Sequence, residues 1–375
     1  MEYIALKDVC SINMGQSPES SSYNEAGDGI PFFQGNADFG ERYPVTRVWC
    51  NAPTKIAKPE DILISVRAPI GALNYAKEEC CIGRGLAAIT PDTRKVSSEF
   101  IYWLLKGKNT ELNSKGTGSP FKAIGRKVLE ETLVPNVGFE QQHAYATNLE
   151  KVYAIIQMRK QQLAALDDLI KARFVEMFGD TILNPFGWEK DLLGIVCDVR
   201  DGTHDSPQYH ETGFPLVTSK NVTGGKIDLT DCSLISEEDF KKINERSKVD
   251  IGDIIMPMIG TVGKPVIVDI EPDFAIKNVS LIKFRHGSKV LNKYIRALLQ
   301  SDYFDDAVLS KVRGGTQKFI SLGDIRKLEI LVPPMERQKL FADFVMQIDK
   351  SKSVIQKSLD KTQLLFDSLM QKYFG

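Results

Sequence analysis

GTGSPFKAIG, residues Gly116–Gly125, returns in the second half of the chain as GGTQKFISLG, residues Gly314–Gly323. Each copy leads into a strand-like Leu-Val-Pro, at Leu133–Pro135 and Leu331–Pro333, then a long helical run, then an aromatic-glycine stop, Phe178-Gly179 and Phe374-Gly375. Working outward, the match holds. Leu6, Cys10 and Gly15 pair with Leu193, Cys197 and Gly202 at an offset of 187, while the closing glycines are 196 apart. Insertions in surface loops produce such drift, because loops absorb length changes and the elements between them do not. The period is too long for a solenoid repeat. It describes a duplicated domain, each copy carrying its own helix.

The coarse layout repeats as well. Short β-type runs fall at 5–12, 62–66, 86–89 and 133–134, with counterparts at 192–199, 254–258, 266–268, 279–284 and 330–332, separated by Gly, Pro, Asn and Asp clusters. Helices of two or three turns are expected at 98–105 and 291–299. This is an α+β domain with long loops, and long loops in a compact domain are usually functional.

The long helices differ in kind. Tyr145, Leu149, Val152, Ile156, Leu163, Leu166 and Ile170 follow alternating 3- and 4-residue steps, interrupted by Arg159 and Arg173. Phe341, Val345, Ile348, Ile355, Leu359, Phe366 and Leu369 do the same, with Lys352 and Thr362 as the polar breaks. A 3.5-residue repeat makes a coiled-coil seam. Each helix would extend ~57 Å at 1.5 Å per residue, more than a small domain can cover. The economical arrangement is an antiparallel pair with one domain at each end.

At 42% hydrophobic and 26% charged residues, the composition is that of a globular chain large enough for two cores. No apolar run approaches the ~20 residues of a membrane span, and the opening residues form no signal peptide, so a cytoplasmic location is expected. The six cysteines, at 10, 50, 80, 81, 197 and 232, lack zinc spacing and read as buried thiols. The net charge of −1 hides local basic segments: Lys106, Lys108, Lys115, Lys122, Arg126 and Lys127 around the first glycine loop, Lys311, Arg313 and Lys318 around the second.

Catalytic signals are missing. Gly260…Gly263-Lys264 runs into Pro265 and is no phosphate-binding loop. Asn184-Pro185-Phe186-Gly187 is turn chemistry in a linker position. His143, His204, His210 and His286 have no metal spacing, and His204 and His210 lie in a loop.

The ordered set of motifs, present twice, resembles the specificity subunit of type I restriction–modification systems over the full length. It consists of Phe121…Ile124-Gly125, Val134-Pro135 and Glu140-Gln141-Gln142, then Phe319…Leu322-Gly323, Val332-Pro333 and Glu336-Arg337-Gln338. The resemblance implies two target-recognition domains, 1–138 and 188–334, two spacer helices, 139–179 and 335–375, and a linker, 180–187. It implies a non-catalytic reader of double-stranded DNA that docks two modification (methyltransferase) subunits, with restriction subunits outside them. S-adenosylmethionine, ATP and Mg would belong to those partners, with no cofactor on this chain.

Equal scaffolds with unequal loops predict two different half-sites held a fixed distance apart. Arg suits guanine, and Asn or Gln suits adenine. Candidate base readers are Gln34, Asn36, Arg67, Arg84 and Ser119 in the first copy, and Ser219, Asn221, Asn278, Arg313 and Gln317 in the second, with Thr316 a further DNA-binding candidate. Gly116, Gly118 and Gly314 would let backbone approach phosphate, with Lys115, Lys122, Lys220 and Lys318 supplying charge. Two other classes share parts of this layout. Tandem modules for a non-DNA ligand are opposed by the basic glycine loops, and a fused methyltransferase has no room for a catalytic domain. A specificity chain of a related restriction–modification class would look the same.

Overall fold

The computed structural model describes residues 2–118, 122–259, 263–308 and 319–375. It divides into two compact units, Met1–Lys160 with Lys357–Gly375, and Gln161–Gln356.

In the first unit a four-stranded antiparallel sheet has the order Cys10–Met14, Leu86–Pro91, Ile62–Ser65, Leu73–Tyr75. In the second unit the equivalent sheet runs Asp198–Asp201, Val279–Lys283, Ile254–Pro257, Val266–Ile267. A further sheet in each unit contains one parallel pair, Ile30–Phe33 with Cys80–Ile82 and Phe214–Val217 with Ala275–Ile276. Two-stranded ladders join Tyr3–Ala5 to Leu133–Pro135 and Glu189–Leu192 to Glu329–Val332. The duplication is thus one of topology in the four-stranded sheets and the two-stranded ladders, while the further sheet has five strands in the first unit and four in the second.

The expected strands at 5–12 and 192–199 are each broken by a turn of helix, Leu6–Val9 and Leu193–Val196. In the first, the Asp8 carboxylate accepts the Ala5 N–H at 3.1 Å, and Leu6 and Val9, three residues apart, are both buried. A capping acid and an i, i+3 apolar pair outweigh the strand pattern.

The motif alignment is shifted by two residues from the structural one. Ala5 faces Leu133 and Leu192 faces Glu329, an offset of 196 on the returning strand, so Leu133–Pro135 corresponds to 329–331 rather than to the second Leu-Val-Pro. Likewise Ile124 donates its N–H to Val66 O, and Ile320, not Leu322, donates to Met258 O. The ladder sets register by which side chain is buried, and Val134 and Ile330 both are.

The long helices are Phe139–Phe178 and Met335–Phe374. Gln142 and Gln338 explain their shared opening motif. Gln142 Oε1 accepts from Ser97 N at 2.9 Å while Nε2 donates to Lys95 O and Val137 O. Gln338 does the same with Leu291 N, Lys289 O and Pro333 O. Within the first unit Tyr145 stacks on Tyr373 at 3.8 Å and Tyr153 meets Phe366 at 6.0 Å, so the two segments run antiparallel. Within the second, Phe174 and Phe178 pack on Phe341, and Lys352 Nζ reaches Asp167 Oδ1 at 2.5 Å, again antiparallel. Every seam residue named from the sequence is buried or half-buried. Each unit has its own core: Trp103, Phe100 and Phe374 are central to the first, and Tyr294, Phe304 and Phe341 to the second. Among the described residues no helix is long and apolar enough to cross a membrane.

Candidate nucleic-acid interface

The described candidates of the first unit gather at one end of its four-stranded sheet, and Asn278 stands at the corresponding end in the second. Met14, Ser65 and Leu86 sit at the same end in the first unit, because Met14 faces Ala87 and Ser65 faces Leu86. The loops leaving that end carry Ser17, Arg67 and Arg84. Gly15 follows Met14, and a Cβ there would lie 2.1 Å from Gly83 O, so only glycine allows the loops to touch. Beyond it, Ser17 Oγ bonds the Gln34 amide (Nε2 at 2.9 Å) and accepts the Arg84 N–H at 3.3 Å. Gln34 and Arg84, both exposed, lie at the carboxyl ends of the parallel strands. Asn36 opens the 3₁₀ turn Asn36–Asp38, whose Asp38 carboxylate accepts the Gln34 and Gly35 N–H groups.

The glycine loop closes on the same end. Arg67 bridges Ala123, Ala68 N donates to Lys122 O, and Thr117 and Ala123 exchange backbone hydrogen bonds. Gly118 has φ +110°, and a Cβ on Gly116 would meet Ile70 Cδ1 at 2.8 Å. Arg67, Lys115 and Lys122 are exposed, with Lys115 paired to Glu111. These form a basic rim beside the Gln34–Ser17–Arg84 cluster. Ser119 and Phe121 lie outside the described residues.

The second unit repeats the geometry with other side chains. Gly202 stands where Gly15 does, its would-be Cβ 2.4 Å from Ile276 O. His204 replaces Ser17, and Asn278, at φ +55°, stands two residues past the parallel strand, as Arg84 does. His204 Nδ1 is 2.9 Å from Asn278 Oδ1 and Nε2 is 2.8 Å from Asp201 Oδ2. The hydrogen bonds to Asn278 and then Asp201 hold the imidazole pKa above its ordinary value. Asp201 also pairs with Arg246, and Lys277 Nζ donates to Ser206 Oγ at 2.7 Å.

Ser219, Lys220 and Asn221 form the matching 3₁₀ turn. Asn221, expected among the base readers, is buried: its Oδ1 accepts from Thr218 N and Oγ1, and Nδ2 donates to Asp231 O. It holds the turn, as Asp38 does in the first unit, while Ser219 is half-buried and Lys220 exposed. Arg313, Gly314, Thr316, Gln317 and Lys318 lie outside the described residues.

Sequence reasoning missed Arg246 and Lys277. Arg246 is on the helix Glu237–Ser247, an addition in the second copy. Its signal was legible: Ser236 caps Asp239 N, three acids fill the first turn, and Arg246 sits in the last. Lys277 had no local signal, since only the parallel strand pairing places it.

The family profile for the type I restriction modification DNA specificity domain matches residues 1–167 and 185–363. The putative type I restriction enzyme MjaX specificity subunit of Methanocaldococcus jannaschii is 44% identical over 40% of this chain and 36% of its own length. The MjaIX specificity subunit of the same organism is 25% identical over 98% of this chain and 91% of its own. The EcoBI specificity subunit of Escherichia coli is 21% identical over 99% and 85%. The crystal structure of a type I restriction–modification S subunit from M. genitalium shares the fold, with a TM-score of 0.58 and 15% identity, over 100% of this chain and 96% of that one. Matched twice along its length by this profile, the chain belongs to the type I restriction modification DNA specificity domain family.

Proposed function

We propose that this chain is the sequence-reading, non-catalytic subunit of a type I restriction–modification assembly, each unit reading one half of an asymmetric bipartite DNA site. One observation carries this: the same sheet end holds, in both units, a hydrogen-bonded set of polar loop residues, with Ser17 Oγ joining the Gln34 amide and the Arg84 backbone N–H in one and His204 joining Asn278, next to Lys277, in the other. Base edges are distinguished by such donors and acceptors, and basic rims such as Arg67 and Lys122 suit phosphate. Two modification subunits would dock on apolar residues that the helices leave exposed, including Met158, Leu364 and Leu365 in the first unit and Val175 and Val354 in the second. Restriction subunits would join outside them, in the cytoplasm. S-adenosylmethionine, ATP and Mg would be bound by those partners.

The test is to reconstitute the chain with its modification subunits, treat genomic DNA, and sequence the modified positions. Two unequal half-sites at constant spacing are expected. A palindromic motif, or the same pattern from modification subunits alone, would overturn the proposal.

A further inference from the structure

His204 joins two loops of the second unit, with Nε2 on Asp201 and Nδ1 on Asn278. An ionised carboxylate only accepts, so Nε2 carries a hydrogen in both charge states of the ring. The proton that comes and goes is the one on Nδ1, facing Asn278. Asp201 is held in place, buried and paired with Arg246.

Asn278 has one remaining freedom. Its backbone is fixed at φ +55° with its N–H on Thr203 O, and the preceding Lys277 donates its N–H to Val217 O. The terminal amide can still make a half-turn that exchanges Oδ1 and Nδ2. When Nδ1 is protonated, the amide must turn its oxygen inward, which leaves the NH2 facing out. When Nδ1 is bare, the amide must turn its NH2 inward, which leaves the carbonyl facing out.

We propose that Asn278 reads one base pair of the second half-site through its outward amide edge, and that the proton on His204 selects which edge that is. This rests on the DNA-reading function proposed above. A donor edge matches guanine O6 and N7 or thymine O4; an acceptor edge matches adenine N6 or cytosine N4. Among the described residues, the charged groups around the imidazole are Asp201 at the end of the strand that leads into its loop, Arg246 on the helix Glu237–Ser247, Lys277 beside Asn278, and Asp205 next in the chain. Arg200 is turned to Asp198 and to Arg246 O. Asn278 and Asp201 favour the charged ring and Arg246 opposes it. The donor edge is presented below the elevated histidine value and the acceptor edge above it. In the first unit the equivalent position is Ser17, which does not titrate in this range, so that half-site is an internal reference.

The experiment uses the assembled modification complex with the full chain and genomic DNA, at about pH 6 and about pH 8.5, which bracket a raised histidine. Modified positions are sequenced. At one position of one half-site, preference should move by about fivefold from guanine or thymine toward adenine or cytosine as pH rises, one lost hydrogen bond's worth of discrimination. His204→Ala should abolish the pH dependence, and Asn278→Asp, which presents only acceptors, should favour adenine or cytosine at both pH values. An unchanged motif at both pH values, or Asn278→Asp without effect on either half-site, would overturn the inference while the bipartite motif itself upheld the DNA-reading function. Loss of the whole motif in the unmutated complex would instead overturn that function.

Discussion

Gln142 and Gln338 each tie three backbone groups that would otherwise be buried without partners, at the junction of a domain with its long helix. Replacing Gln338 by Ala should cost about 3 kcal/mol, since stranded buried donors and acceptors each carry a desolvation penalty. Arg337→Ala, on the exposed side of the same turn, should stay within about 0.5 kcal/mol. Urea denaturation of the two variants checks the contrast. His204 gives a pH signature of opposite origin. Its folded pKa is raised, so its contribution to stability is fully present below the ordinary histidine value and fades as pH rises through the folded value. The unfolding midpoint of the wild-type chain should therefore approach that of His204→Gln at alkaline pH. The thiols of Cys10 and Cys197 are pushed up to about 12 by burial, which keeps them from acting as nucleophiles.

At the scale of elements, the seam of the paired helices is anchored by aromatic side chains. Phe341 is fully buried against Phe174 and Phe178, so Phe341→Ala should destabilise the second unit by about 3–5 kcal/mol, read by calorimetry. Lys352, a polar break in the seam, is answered by Asp167. The seam was legible because its 3.5-residue period survives in one sequence. The strands were legible as short apolar runs, but their register was not. A Leu-Val-Pro occurs in both copies, yet the ladders align Pro135 with Leu331, because burial of Val134 and Ile330 decides the pairing. The interface was legible only in part for a related reason. Arg84 and Asn278 stand out as loop polar groups, whereas the residues they bond, Ser17 and His204, are distant in sequence and brought near by the sheet. Asn221 looks like a reader and is a turn brace, since burial is invisible in a loop of polar residues.

For the whole molecule, the proposed division of labour predicts that exchanging residues 188–333 for a homologous domain changes one half of the methylated motif and leaves the other intact. If the helix pair sets the unread spacing, a heptad inserted after Leu163, matched by one near Leu359, should lengthen the spacer by ~3 bp, at 1.5 Å per residue against 3.4 Å per step. A four-residue insertion breaks the repeat and should abolish activity at every spacing. Both are read from the methylated motif. An unchanged spacer in the paired-heptad complex would assign the ruler to the partner subunits.

The first unit is assembled from two stretches far apart in the chain, 1–160 and 357–375, and its core includes Phe366, Tyr373 and Phe374. The second is a single stretch, 161–356. During synthesis residues 1–160 must therefore wait, on the order of tens of seconds, for residues 357–375, with the Trp103 face uncovered, while 161–356 needs nothing further once made. The usual order of maturation along a nascent chain is inverted. Ribosome-bound chains halted short of residue 357 should show protease resistance in 161–356 before 1–160, and a chaperone that shields apolar surface should bind the earlier-made half the longer.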